Sequence, residues 1–446
     1  MIIKNKNELA ISKLRAQALE LIEVGINRVM PENLIDSFVK YDSASDLLAV
    51  SDKTFNLSAG RLFVIGGGKA AGLMAEKLEN IMGPNRITAG IVNCKDNNYQ
   101  VKSIKITKAS HPIPNKKSIK GVKKMLALRN QYSINEKDFI VCLISGGGSA
   151  LMSYPVDRVS LTDKQRITEL LIRSGAEIQE ANYVKKHLSK IKGGQLGKFF
   201  APATVISLII SDVVSNDIES IASGPTVPDS STYQDAYEVL EKYDLLSKAP
   251  KSVVKFLDES IKNNLVDTPE KLDNCYNYII GNNLLAIGAM ADKAHHFGLK
   301  PLVVTAQQTG DPTVVAKARA QEIINGKYID YDTIIIGGET TPCLPKNAGE
   351  GGRNQHFAAA SLLEMKNYQG EFVVAGVSTD GIDYSEVAGA IIDNNTLTLA
   401  KDKGLDINKY LEKYDSGRLF KRIGKSLIIT GDTGTNVSDV MIYLVK

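Results

Sequence analysis

Two stretches of the chain share one pattern of apolar and polar positions. In "RLFVIGGGKAAGLMAEKLE" (61–79) an unbroken apolar run meets three glycines and a lysine, after which Ala70, Leu73, Met74, Lys77 and Leu78 recur at helical spacing. The pattern predicts a strand buried on both faces, a tight turn at Gly66, Gly67 and Gly68, and then a helix. "DFIVCLISGGGSALM" (138–152) repeats it, with Ser145, Gly146, Gly147, Gly148 and Ser149 at the turn.

The pattern extends along the chain. It predicts an amphipathic helix over 7–30, a short strand at 89–93, a helix over roughly 115–131, and a buried strand in "ATVISLIISDVVSND" that ends at Asp212. Strands alternating with helices predict an α/β fold with a doubly wound parallel sheet. From 232 to 272 the sequence is helical, polar and lysine-rich. This stretch is the predicted boundary between an N-terminal domain, 1–245, and a smaller α/β domain, 246–446. Alternation resumes there in "KPLVVT", "DTIIIGGETT", "EFVVAGVSTDGID" and "SLIITGDTGTNVSDVMIYLV".

Composition narrows the function classes. A chain of 446 residues exceeds what one core usually holds, so two domains are expected. The net charge of +4 is spread along the sequence, without a basic stripe interleaved with aromatics, and Trp is absent. Neither a nucleic-acid surface nor a base-stacking platform is expected. Cys94, Cys142, Cys275 and Cys343 are far apart and form no C-x-x-C pair, which argues against a zinc site and fits small thiols in a reducing cytoplasm. The charged N-terminal helix is no signal peptide, and no apolar run is long enough to span a membrane. A cytoplasmic location follows as an expectation, with a homo-oligomer left open.

In open α/β sheets ligands gather at the carboxyl ends of strands. Here those ends carry Gly66, Gly67, Gly68 and Lys69; then Ser145 to Ser149; then Ser211 and Asp212. The second domain adds Gly337, Gly338, Glu339 and Thr340, then Ser378, Thr379, Asp380 and Gly381, and the run 430–435. Together they predict a cleft site between the domains. Three readings of the turn at 66–69 stay open: an ordinary βα turn, a dinucleotide fingerprint in Gly66-x-Gly68-x-x-Ala71, or an anion cradle charged by Lys69. The dinucleotide reading lacks the acid expected at the next strand end, where Asn93 stands.

"GEGGRNQ" (349–355) places Arg353 on a glycine-rich loop, suited to a bidentate grip on a carboxylate or phosphate. "KKHLSKIKGGQLGK" (185–198) reads as the solvated face of a helix that ends at Gly193 and Gly194, which makes His187 a poor catalytic candidate. No nucleophile signature such as G-x-S-x-G occurs. The strand-end carboxylates Asp212, Glu339, Asp380 and Asp383 suit a hard cation such as magnesium. Glycine turns, cations and carboxylates without a covalent nucleophile describe phosphoryl transfer.

In order, "VIGGGKAAGLMAEKLE", "SHPIPNKKS", "LISGGGSALM", "YVKKHLSKIKGGQL", "ISDVVSNDIESIASGPTVPDSST", "GGETT", "GGRNQ", "STDGID" and "GDTGTNVSDVMIYLV" span nearly the whole chain. The series resembles glycerate 2-kinases of the class whose C-terminal part is the MOFRL domain. The resemblance implies an N-terminal Rossmann-like domain, a smaller C-terminal α/β domain, and ATP-dependent phosphorylation of D-glycerate at its 2-hydroxyl with a divalent cation such as Mg2+. It places the family's catalytic lysine and arginine on Lys69 and Arg353. Asp212 is the first candidate to place the metal or the attacking hydroxyl, with Asp380 the second candidate for the metal. The nucleotide is expected on the 66–68 and 145–149 turns, Lys192, Glu339 and Thr340, with Lys192 a further candidate for the glycerate carboxylate. This chain departs from the family pattern at Lys185, which stands before Lys186 and His187 in place of Arg, at Ser215 and Asn216, at His356 and at Tyr384. The alternatives are a nicotinamide-dependent hydroxypyruvate reductase and a non-catalytic sugar-acid sensor.

Overall fold

A computed structural model describes residues 1–446, which divide into two compact units, 34–280 and a smaller one of 1–33 with 281–446. The elements used below are α1 (Lys13–Arg28), β1 (Leu62–Gly67), α2 (Ala71–Met82), β2 (Ile87–Cys94), β3 (Ile104–Lys108), α3 (Lys116–Gln131), β4 (Phe139–Ile144), α4 (Leu161–Arg173), α5 (Ile178–His187), β5 (Thr204–Ile210) and β6 (Cys275–Gly281). They continue with α6 (Asn283–His296), β7 (Pro301–Gln308), α7 (Pro312–Ile324), β8 (Thr333–Gly338), α8 (Arg353–Met365), β9 (Phe372–Ser378), β10 (Gly389–Asp393), β11 (Leu427–Ile428) and β12 (Asp439–Val445).

The unit 34–280 holds a six-stranded sheet in the order β3-β2-β1-β4-β5-β6. Every pairing from β3 to β5 is parallel. All six residues of β1 are buried, as the unbroken apolar run predicted. Strands β1, β2 and β3 build outward in one direction, and β4 then starts on the other side of β1. The order therefore reverses between β1 and β4, and a crevice opens at the carboxyl ends of this pair. Helix α3 begins one residue after the expected start because Asn115 forms a capping box with Ser118. A small antiparallel sheet over residues 39–56 was not foreseen; its strands are only four residues long.

The other unit has a mixed sheet, β7-β8-β12-β9-β10-β11, in which only β7 and β8 run parallel. Helix α1 belongs here: it packs on α6, β9 and β12. Gly25 lets the two helices close, since a Cβ on it would lie 2.7 Å from Met290 Cγ. Arg15 is buried and grips Asp393 through Nε at 2.7 Å and Nη2 at 3.2 Å.

The division at 280/281 differs from the one drawn at 245/246. The lysine-rich helices Tyr233–Lys242 and Lys251–Lys262 bury Ala236, Leu240, Val253 and Leu257 against Ile167 and Leu171 of α4 and Val184 of α5. Their polar residues lie on the outer face, so composition marked a surface and not a boundary. Meanwhile 1–33 joins the second unit through contacts with residues hundreds of positions away.

Candidate active site

The two glycine turns of unit 34–280 lie side by side at the switch point. Gly66 and Gly67 are the last residues of β1, paired with Leu143 and Ile144 of β4. Gly66 has φ +141°, and the Leu143 carbonyl occupies the place of its Cβ; only glycine fits there. Gly68 makes room for Ser145, whose Oγ accepts from Ala70 N–H at 3.0 Å. Lys69 N–H donates to the Gly146 carbonyl at 2.8 Å, and Gly68 N–H to the Asn93 carbonyl at 3.2 Å. The anion-cradle reading needs these amides free; instead those of Lys69 and Ala70 lock the two turns together, and that of Gly68 ties the first turn to β2. The helix end keeps its character one residue further on, because α2 has no side-chain cap.

Lys69, His111 and Asp212 converge on the second turn. A Cβ on Gly147 (φ +78°) would lie 2.7 Å from His111 Cδ2 and 3.3 Å from Lys69 Cγ. One on Gly146 would lie 2.7 Å from Asp212 Cγ, and one on Gly148 2.7 Å from Ala222 Cβ. Lys69 and Asp212 were expected at separate strand ends of this sheet; both lie against the second glycine turn. His111 was not singled out; its signal was position, since "SHPIPNKKS" follows β3 at the same end of the sheet.

Ser149 is exposed just past the turn and lies 3.0 Å from Ser223 Oγ. Lys192 is buried beneath it, donating to Ser149 Oγ at 3.2 Å and to the Ala222 carbonyl at 2.9 Å. Ala222 and Ser223 hold left-handed backbone, φ +52° and +61°. Such strain persists only where the surroundings enforce it, and it concentrates at functional sites. The run 185–198 is not the solvated face it resembled. Lys186, His187 and Lys192 are buried. His187 is a core residue, its Nδ1 2.9 Å from the Tyr183 carbonyl and its ring edge-on to Tyr233.

In the unit 1–33 with 281–446, Arg353 opens α8. Its Nε and Nη2 hold the two oxygens of Asp439 at 2.6 and 3.0 Å, and Nη1 meets Glu339 Oε1 at 2.7 Å. Burial works to lower the guanidinium pKa, but Asp439 and then Glu339 outweigh it and hold the group above its ordinary value. The bidentate edge expected to grip a ligand is thus spent on Asp439, and two of the five N–H donors remain. Asp439 was missed; its signal is a lone acid opening an otherwise apolar strand.

The rest of "GEGGRNQ" serves Asp383. Its oxygens accept from Asn354 N–H at 2.9 Å and Gln355 N–H at 3.0 Å, and from the two side-chain amides at 3.2 and 3.1 Å. Four donors leave no lone pair for a cation, which removes Asp383 as a metal ligand. Asp380 Oδ1 accepts from Ser378 Oγ and Ile382 N–H, both at 2.9 Å, as a local turn. Asp212 and Asp380, the first and second candidates for the metal, lie in different units. Thr340 is buried and its hydroxyl makes no hydrogen bond. His356 stacks on Tyr414 with ring centres 4.0 Å apart, its Nε2 2.9 Å from Thr313 Oγ1, and burial pushes its pKa down to about 4.

No helix is long and apolar enough to cross a membrane. Residues 17–258 match the family described as a domain of unknown function, DUF4147, and residues 332–439 match the MOFRL family. A glycerate 2-kinase of Pyrococcus horikoshii is 36% identical over 440 residues, covering 97% of each chain. A relative from Agrobacterium vitis, provisionally named a hydroxypyruvate reductase, is 34% identical over 90% of this chain and 91% of its own. The crystal structure of glycerate kinase from Thermotoga maritima matches with a TM-score of 0.83 at 33% identity, over 96% of this chain and 99% of that one. With both domain families in order and near-complete coverage at this identity, the chain belongs to the glycerate 2-kinases of the MOFRL class.

Proposed function

We propose that the protein transfers the γ-phosphate of ATP to the 2-hydroxyl of D-glycerate, giving 2-phosphoglycerate and ADP. The observation that carries this reading is the convergence of Lys69 and Asp212 on the glycine turn at the switch point of the parallel sheet. Phosphoryl transfer needs positioned charge more than covalent chemistry. Lys69 supplies positive charge to the transferring phosphoryl, beside the uncapped end of α2. Asp212 holds the attacking hydroxyl and takes its proton. Arg353 contributes its two remaining donors to an oxyanion.

The residues also bear on the metal. No group of three or more His, Cys, Asp or Glu side chains is arranged to hold an ion. A Mg2+ ion would then be carried by the nucleotide and held mainly by its phosphate oxygens. Bound there, it would neutralise phosphate charge.

The reductase reading is disfavoured by Asn93. Strand β2 ends in Asn93 and Cys94 without an acid for a ribose, and the buried Asn93 side chain donates to the Ser118 and Leu151 carbonyls at 3.1 and 2.8 Å. The test is an enolase-coupled assay with D-glycerate and MgATP, run beside hydroxypyruvate with reduced nicotinamide. Phosphoenolpyruvate is expected without added mutase. In a separate uncoupled assay that follows ADP by chromatography, a chelator should abolish transfer. A requirement for mutase would mean transfer to the 3-hydroxyl. Reductase activity without kinase activity would overturn the reading.

A further inference from the structure

Two lysines of unit 34–280 are buried, and a third is half-buried, without counter-charge. Lys164 on α4 is 6% exposed, and its Nζ makes no hydrogen bond. Lys192 is 2% exposed, and its Nζ meets only the neutral Ser149 hydroxyl and Ala222 carbonyl. Lys185 on α5 is half-buried, and the three ammonium groups lie close enough to repel one another. No carboxylate offsets any of them: burial, and for Lys164 and Lys192 the neighbouring lysines, drives Lys164 down to about 7 and lowers Lys185 and Lys192 as well.

The next residue shows that this is not how the fold treats a structural lysine. Lys186 is as deeply buried, yet its Nζ is held by Asp229 Oδ1 at 2.9 Å and Glu219 Oε2 at 3.1 Å. An unpaired buried cation is costly, and an apolar side chain of the same length would pack without that cost. Three such cations together make sense if their counter-charge arrives from solution.

We infer that Lys164, Lys185 and Lys192 form a recessed pocket for the carboxylate of the acceptor acid, with Ser149 Oγ at its mouth. This rests on the reading of the acceptor as glycerate. Ser149 joins the cluster to the glycine turn on which Lys69 and Asp212 converge. An acid anchored by its carboxylate there presents a hydroxyl one carbon away, as selective transfer at C2 requires. The anion restores the charged state of Lys164, so binding above neutral pH takes up a proton.

Calorimetry tests this on the whole protein without nucleotide cosubstrate turnover. Wild type, Lys164→Met and Lys185→Met are titrated at pH 8 with D-glycerate, inorganic phosphate and ADP, in two buffers of different ionisation enthalpy, and their melting temperatures are compared. Glycerate is expected to bind wild type with uptake of up to about one proton. Lys164→Met should weaken glycerate about tenfold or more, abolish the uptake, leave ADP unchanged and melt higher than wild type. Lys185→Met, at a half-buried position, guards against a folding defect at Lys164. Glycerate affinity and proton uptake unchanged in both variants would overturn the pocket while leaving the kinase reading intact. Weakening of ADP alone would assign the cluster to nucleotide phosphate and overturn the carboxylate. If wild type neither binds nor phosphorylates glycerate, the kinase reading falls. Proton-linked phosphate binding lost in Lys164→Met would then still support an anion pocket, and its absence would overturn that too.

Discussion

Replacing Arg353 with lysine keeps the charge and removes the fork. In the native structure the guanidinium makes three charge-assisted contacts, at 2.6 and 3.0 Å to Asp439 and 2.7 Å to Glu339. Asp439 is wholly buried, so its oxygens have no water to turn to. A lysine ammonium is a point charge that cannot span both oxygens. Each lost charge-assisted bond is worth about 1.5–3 kcal/mol, and one or two are lost. Breaking a fully buried pair costs about 3–5 kcal/mol. Arg353 is about a quarter exposed (27%), so solvent softens the loss. A destabilisation of about 2–4 kcal/mol follows, or a melting point lower by roughly 5–15 °C for a unit of this size. Arg353→Lys, Asp439→Asn and the double variant should be melted and assayed together. The two single changes should be strongly coupled, by about 1 kcal/mol or more, and kcat/KM should fall in all three. If Arg353→Lys melted within about 1 °C of wild type, the fork would not be what holds Asp439, and the argument would fail. Lower stability with unchanged kcat/KM would make Arg353 a positioning residue for Asp439 alone.

Lys69→Ala should lower kcat about 10²–10³-fold while leaving the melting temperature near wild type, because the turn is held by backbone amides and Ser145; near-normal turnover by the folded variant would remove Lys69 from the mechanism. His356 is held neutral, its pKa lowered from 6.5 to about 4 by burial. The unfolded chain binds this proton first, so its contribution to stability is present above about pH 6.5 and is lost as pH falls towards 4. His356→Gln should flatten that part of the stability profile in denaturant titrations at pH 4–7, and an unchanged slope would contradict the burial argument.

Local pattern determined much of this protein. Unbroken apolar runs ending in glycine specified strands β1 and β4, because a strand buried on both faces tolerates nothing polar and a turn against a neighbouring carbonyl tolerates no Cβ. These runs, with the apolar run of β5, placed Lys69, Ser145 and Asp212 at one end of one sheet. Tertiary structure decided what depends on contacts distant in sequence. Helix α1 reads as any amphipathic helix, and only the Arg15–Asp393 pair and the packing on α6 assign it to the second unit. Arg353 read as a ligand clamp because its partner Asp439 lies 86 residues away, beyond any local period. The amides of Lys69 and Ala70 looked free until the second turn was set beside them, and that of Gly68 until β2 was. The lysine run at 185–198 carried the composition of a solvated surface, yet burial is a property of what packs above a residue. Chain pattern cannot tell a lysine paired with Asp229 from one left waiting for an anion, because the difference lies in which carboxylates the fold brings within reach.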